Sequence, residues 1–199
     1  MKGTLYLKTA PAAEPVTTAE AKAHMRVDIS EDDTLIGALV KAARRWIEGV
    51  TGIRMVTQTW NYYLDEFPAA DVVKLPIGPV SAVSSVKYTD VEGNVRTLAA
   101  SSYVTDLVSL PARIKLKDGY AWPSDDLKEV NGVDIEFTAG YGAAAAVPEE
   151  VRLAVNMLAS YWYENRDATA GAVGNTDIKQ LPLTLQDILS QIDMYQRGD

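Results

Sequence analysis

Apolar positions in this chain recur with two different periods, and the change of period divides it into segments. In 147–166, VPEEVRLAVNMLASYWYENR, the residues Val151, Val155, Leu158 and Trp162 fall at helical spacing. Ala154, Met157 and Tyr161 form a second stripe beside the first, which leaves Arg152, Asn156 and Ser160 as a narrow polar face. A helix that is apolar around most of its circumference packs on two sides, so this stretch is expected to be the central strut of a helical core. Pro148 takes the first helical position, where its missing N–H is not needed, and Glu149 and Glu150 put negative charge in the first turn.

Two helices precede this one and one follows it. Thr17, with Glu20 three residues later, is a capping box that opens a short helix to about Arg26. Ser30 starts a second, with Glu31, Asp32 and Asp33 in its first turn and an apolar stripe of Leu35, Ile36, Leu39, Ala43, Trp46, Ile47 and Val50. Gly52 then supplies the left-handed residue that ends it. Trp46 and Trp162 are both expected to be largely buried in the helical core. Past Asp167 the stretch 168–176 is small, Gly-rich and aperiodic, and is expected to be a mobile linker. Leu183, Leu185, Ile188, Leu189, Ile192 and Tyr195 mark a terminal amphipathic helix beyond it.

Between these helices the pattern changes to strands. Residues 57–67, TQTWNYYLDEF, are rich in β-branched and aromatic side chains. Shorter strands are expected at 72–75, 83–88, 95–98, 103–106, 114–116 and 133–138, with a hairpin turn at Asp90-Val91-Glu92-Gly93-Asn94. The fold class is therefore α+β: a small helical bundle with an inserted antiparallel β lobe, sandwich- or barrel-like. The expected organisation is an N-terminal arm at 1–16, a helical bundle from 17–52 and 147–199, and a β insertion at 53–146.

Composition narrows the chemistry. The 199 residues carry a formal net charge of −8, which argues against a general grip on nucleic acid, because such a grip needs a basic surface that releases counterions. There is no cysteine, which removes disulfides and thiolate metal sites. No basic stretch followed by an apolar core marks a signal peptide, and no apolar run approaches the ~20 residues of a membrane span. The chain reads as a soluble protein without a membrane partner.

Candidate catalytic residues are scarce. His24 is the single histidine and lies on the short first helix among unremarkable neighbours. The acidic pairs Asp32-Asp33 and Asp125-Asp126 read as a helix start and a solvated loop before they read as cation ligands. Gly140-Tyr141-Gly142 resembles an anion-binding turn only loosely, and the nearby Glu149 and Glu150 would repel a phosphate. Trp60, Tyr62 and Tyr63 stand close together, but strand alternation puts Trp60 and Tyr62 on one face and Tyr63 on the other, which divides them instead of building a stacking platform. No catalytic, cofactor-binding or metal-binding residue is assigned.

Seven segments taken in order carry a family resemblance: VTTAEAKAHMRVD at 16–28, EDDTLIGALVKAARRWIEGVTG at 31–52, TQTWNYYLDEFP at 57–68, LPIGPVSAVSSVKYTDVEGN at 75–94, YAWP at 120–123, FTAGYG at 137–142 and VPEEVRLAVNMLASYWYENRD at 147–167. Together they resemble the head–tail connector (adaptor) proteins of long-tailed bacteriophages, and the likeness resumes weakly at LPLTLQDIL. The resemblance implies a structural virion protein without catalysis or cofactor, made in the bacterial host cytoplasm and placed at the head–tail junction. Copies would form a ring, typically dodecameric, beneath the portal protein. Such a ring would extend the channel for double-stranded DNA without sequence-specific binding and offer a platform to the stopper or tail-completion protein. An acidic balance suits a channel along which DNA slides. With this charge on every copy, the isolated protein is expected to be monomeric or weakly associated until a portal templates the ring. Segments 1–16 and 168–199 are expected to be arms that order on docking, and the terminal helix can pack on its own bundle or on an adjacent molecule. The alternatives are a carbohydrate- or receptor-binding module using the β lobe, and a small enzyme with an unrecognised site.

Overall fold

The computed structural model describes residues 3–124, 126–165 and 182–192, which fall into two compact units. One is helical and takes residues 12–56 with the described part of 142–192; the other is built of strands from 3–11 and 57–141. The fold is α+β, as the change of period implies.

In the helical unit, α1 (Thr18–Met25) is closed at its start by the capping box: Glu20 N–H donates to Thr17 Oγ1, and Thr17 N–H to Glu20 Oε2. Helix α2 (Asp33–Thr51) begins three residues later than Ser30 suggests, because Asp33 N–H bonds back to the Ser30 carbonyl in a preceding turn and Asp32 takes the cap position. It ends at Gly52, whose φ of 70° is the left-handed conformation that glycine accepts without strain. Helix α3 (Glu149–Glu164) also starts one residue past the expected point, since the extended ψ of 142° at Pro148 keeps that residue outside the helix as its cap.

Helix α3 packs against α1, α2 and α4 (Leu183–Ile192), which makes it the strut of this unit. Its buried Val151, Ala154, Val155, Leu158, Ala159 and Trp162 meet Ile36, Val40, Ala43 and Ile47 of α2. Leu185, Leu189 and Ile192 of α4 belong to the same core. Of the two placements open to the terminal helix, α4 takes the one on its own bundle, so it is not a separate docking arm. Segment 168–176 and Tyr195 lie outside the described residues. Trp162 is buried as expected, whereas Trp46 is only half-buried at the edge of the cluster. The expected boundary of the β insertion also moves inward, from 53–146 to 57–141, because Ile53, Met55 and Val56 are buried among the helices.

The β unit holds two antiparallel sheets, neither closed into a barrel. Strands β1 (Thr4–Thr9), β2 (Gln58–Leu64), β8 (Val133–Ala139), β4 (Val80–Thr89) and β5 (Val95–Thr97) lie side by side in that order in the larger. Strands β3 (Val72–Lys74), β7 (Arg113–Leu116) and β6 (Tyr103–Asp106) form the smaller. The expected arm at 1–16 is thus partly a strand: β1 runs antiparallel along β2 from Thr4 opposite Tyr63 to Leu7 opposite Trp60. Most of its side chains are exposed, so backbone pairing and not burial holds it there. Strand β8 shows the alternation that organises the lobe, with Val133, Ile135, Phe137 and Ala139 all turned into the core.

Candidate functional site

The residues singled out by sequence do not converge. His24 is exposed on α1. Asp33 pairs with Lys22 at 2.6 Å, and Asp32 accepts a 2.6 Å hydrogen bond from the Tyr163 hydroxyl, so this acidic pair ties α1 and α3 to the start of α2. Asp126 stands exposed on a loop, and its neighbour Asp125 lies outside the described residues. Gly140 and Gly142 have φ of 126° and 129°, a region open to glycine alone; Gly140 N–H bonds the Pro79 carbonyl, and α3 starts well beyond them. The turn joins sheet to helix and presents no helix N-terminus to an anion. Trp60 and Tyr62 pair with Phe137 and Ile135 on the core side of the sheet, while Tyr63 opposes Asp134 on the other. Among the described residues, no three His, Asp or Glu side chains are grouped to hold a metal ion. No described helix is long and apolar enough to cross a membrane.

Sequence reasoning missed a buried charge network at the end of α2. Arg44 Nη1 lies 2.7 Å from Glu48 Oε2, and Arg44 Nε lies 2.5 Å from Glu14 Oε2. The second oxygen of Glu48 accepts the Met55 N–H at 3.0 Å, and Arg54 Nη1 donates to the carbonyls of Glu48 and Ile53. Burial opposes the charge on Arg44, but the Glu14 and Glu48 carboxylates outweigh it and hold the guanidinium more firmly protonated than usual. Burial pulls Arg54 the other way. The Arg54 and Met55 bonds fix the path of 53–55 across the end of α2, and the Arg44–Glu14 pair ties the segment before α1 to it. The signal available in the sequence was an i, i+4 Arg–Glu pair followed by an arginine inside the apolar run GIRMV.

A second cluster ties the helices together. Arg152 on the polar side of α3 donates to the Pro15 carbonyl at 3.0 Å and pairs with Glu20 on α1 at 2.5 Å. The Thr17 backbone and hydroxyl bonds, helped by Arg152, hold the Glu20 carboxyl below its ordinary range. These polar groups tie α1, α3 and the segment before α1 together.

The β unit carries the surface features. On the smaller sheet Lys74, Arg113 and Lys115 are exposed, as is Lys117 just past the end of β7. Lys74 lies opposite Arg113, and Val72 and Val104 flank Lys115, so these side chains share one face. Asp106 on the same face bonds Ser109 and, at 2.9 Å, Arg113, which together hold its carboxyl far below the usual range. Elsewhere on the unit a cleft of about 460 Å3 is floored by Phe67 and Trp122, stacked with ring centroids 4.8 Å apart, and rimmed by Glu66, Asp126 and Glu129.

These surfaces suit a protein that docks on others, and comparison with known proteins says which kind. The family model of the head completion protein matches residues 15–197. The chain belongs to the head completion protein family. Solved structures agree over nearly the whole length. The neck of an empty gene transfer agent (GTA) particle computed with C6 symmetry contains a chain 26% identical, with 95% of this chain and 94% of that one covered and a TM-score of 0.76. The virion of a native GTA particle contains one 25% identical, covering 94% of each chain at a TM-score of 0.77. The neck of a native GTA particle computed with C12 symmetry gives 25% identity, 95% and 94% coverage and a TM-score of 0.76. No curated protein sequence matches the chain. This head completion protein is a structural component of the head–tail connector, located at the head–tail junction of the virion.

Proposed function

We propose that this head completion protein works without catalysis, as one subunit of a ring, typically of twelve copies, seated beneath the portal protein. The ring lengthens the channel through which double-stranded DNA passes and gives the stopper or tail-completion protein its platform. The observation that carries this reading is that similar chains stand in particle necks computed with C6 and C12 symmetry. The net charge of −8 supports the channel role, since a like-charged wall does not hold DNA by its phosphates. It also opposes assembly in free solution, where repulsion acts over about 8 Å at physiological ionic strength.

The test is to mix the purified chain with portal rings and image the product by electron microscopy. The expected result is a closed ring of this protein on one end of the portal, with the chain alone sedimenting as a monomer or weak oligomer. Failure to associate with any portal of its own phage-like particle would overturn the reading.

A further inference from the structure

Cations without an ion pair among the described residues gather on one face of the smaller sheet, and such carboxylates gather about the aromatic cleft. Lys74 and Lys115 make no ion pair among the described residues, and Lys117 only donates to the Ser101 carbonyl, so the face of the smaller sheet carries uncompensated positive charge in an acidic protein. Residues two apart on a strand are separated by ~6.7 Å, so Arg113 and Lys115 form a row along β7, with Lys117 one residue past its end. Glu66, Asp126 and Glu129 likewise lack an ion pair among the described residues, and they rim the aromatic cleft. Lys128 is the one cation among the residues that line it. Of the other acids of this unit, Glu136 pairs with Lys8, Asp90 with Arg96 and Asp106 with Arg113, while Asp71 and Asp118 stand exposed just outside β3 and β7.

A ring requires a heterologous interface, meaning two different and complementary patches on each subunit. Resting on the ring reading above, we propose that adjacent copies meet through their β units, the basic sheet face of one copy seated on the acid-rimmed aromatic cleft of the next. The opposite signs supply register and offset the repulsion between copies that are acidic overall. The stacked Phe67 and Trp122 supply apolar area, and their ring faces attract an incoming lysine or arginine. Duplex DNA is the other polyanion that a basic face could meet. Four cations on a chain of net charge −8, with Arg113 already paired to Asp106, are a poor grip on DNA but a sufficient match for a cleft rimmed by the carboxylates of Glu66, Asp126 and Glu129.

The experiment compares wild type with Lys115→Glu/Lys117→Glu, with Glu66→Lys/Glu129→Lys, and with all four changes combined, each checked for an unaltered melting temperature. Ring formation on portal is counted by electron microscopy. Each pair of reversals should lower ring yield by roughly tenfold or more, since like charges brought face to face cost several kcal/mol. The fourfold variant, with both patches inverted, should recover most of the wild-type yield. Undiminished rings in both paired variants, or no recovery in the fourfold one, would overturn the proposal while leaving the ring itself standing. So would a wild type that binds a labelled DNA duplex at physiological salt, if Lys115→Glu/Lys117→Glu abolished that binding and left ring yield intact. Absence of rings in wild type would instead remove the ring reading and this interface with it.

Discussion

Arg44 and Glu48 stand one turn apart on α2, both buried, with Arg44 Nη1 2.7 Å from Glu48 Oε2. Removing one partner of a buried pair leaves the other charge without compensation. Glu48→Ala should therefore lower unfolding free energy by about 3–5 kcal/mol, read from urea titration. The double variant Arg44→Met/Glu48→Leu should lose less than Glu48→Ala alone. An equal or larger loss in the double variant would show that the two charges are not coupled.

Trp162 is 3% exposed at the centre of the helical core. Trp162→Ala should cost about 3–5 kcal/mol and lower the melting temperature accordingly. Trp46→Ala, at the half-buried edge, should cost clearly less. Near-wild-type melting of Trp162→Ala would remove α3 from its role as strut.

Helix α4 is tested in the same way. Leu185 is fully buried and Leu183 is 77% exposed. Leu185→Ala should destabilise the isolated chain by about 2–5 kcal/mol. Leu183→Ala should stay within about 0.5 kcal/mol of wild type. If thermal melts show no effect of Leu185→Ala, the terminal helix is a docking arm after all.

Acid should destabilise the protein through identifiable carboxylates. Hydrogen bonds from Ser109, then Arg113, lower the pKa of Asp106; those from Asn94 lower Asp90, and those from Thr17 lower Glu20. Each group binds its proton more readily in the unfolded chain than in the folded one. The stability they contribute is thus fully present above the ordinary carboxylate range of about pH 4 and is lost progressively as pH falls from there through the lowered folded-state values. Melting temperature should hold from neutral pH to about 5 and then decline, and the decline should be shallower in Asp106→Asn. An identical pH profile in that variant would exclude Asp106 as a contributor.

The buried side of each element was legible wherever burial follows a period. Val151, Val155, Leu158 and Trp162 on α3, and Val133, Ile135 and Phe137 on β8, are placed by spacing alone, because a side chain every 3.6 or every 2 residues returns to the same face. Thr17 with Glu20, and Gly52 after α2, were equally readable, since a cap is a local hydrogen bond or a local φ. No catalytic constellation was assigned, and the residues that raised the question, His24, Asp33, Gly140 and Trp60, stand in four separate surroundings.

By itself, then, the sequence determined the α+β class, the order of helices and strands after the first strand, and the family. Tertiary structure alone decided what joins residues distant along the chain. That β1 pairs with β2 depends on backbone groups that any extended stretch offers, so Leu5 and Leu7 could not announce it. That Arg44, Glu14 and Glu48 meet in the interior depends on desolvation, which charge type does not reveal. That Lys74 lies beside Arg113, and Phe67 against Trp122, depends on strand register and loop closure, and these arise only when the core of the β unit is packed.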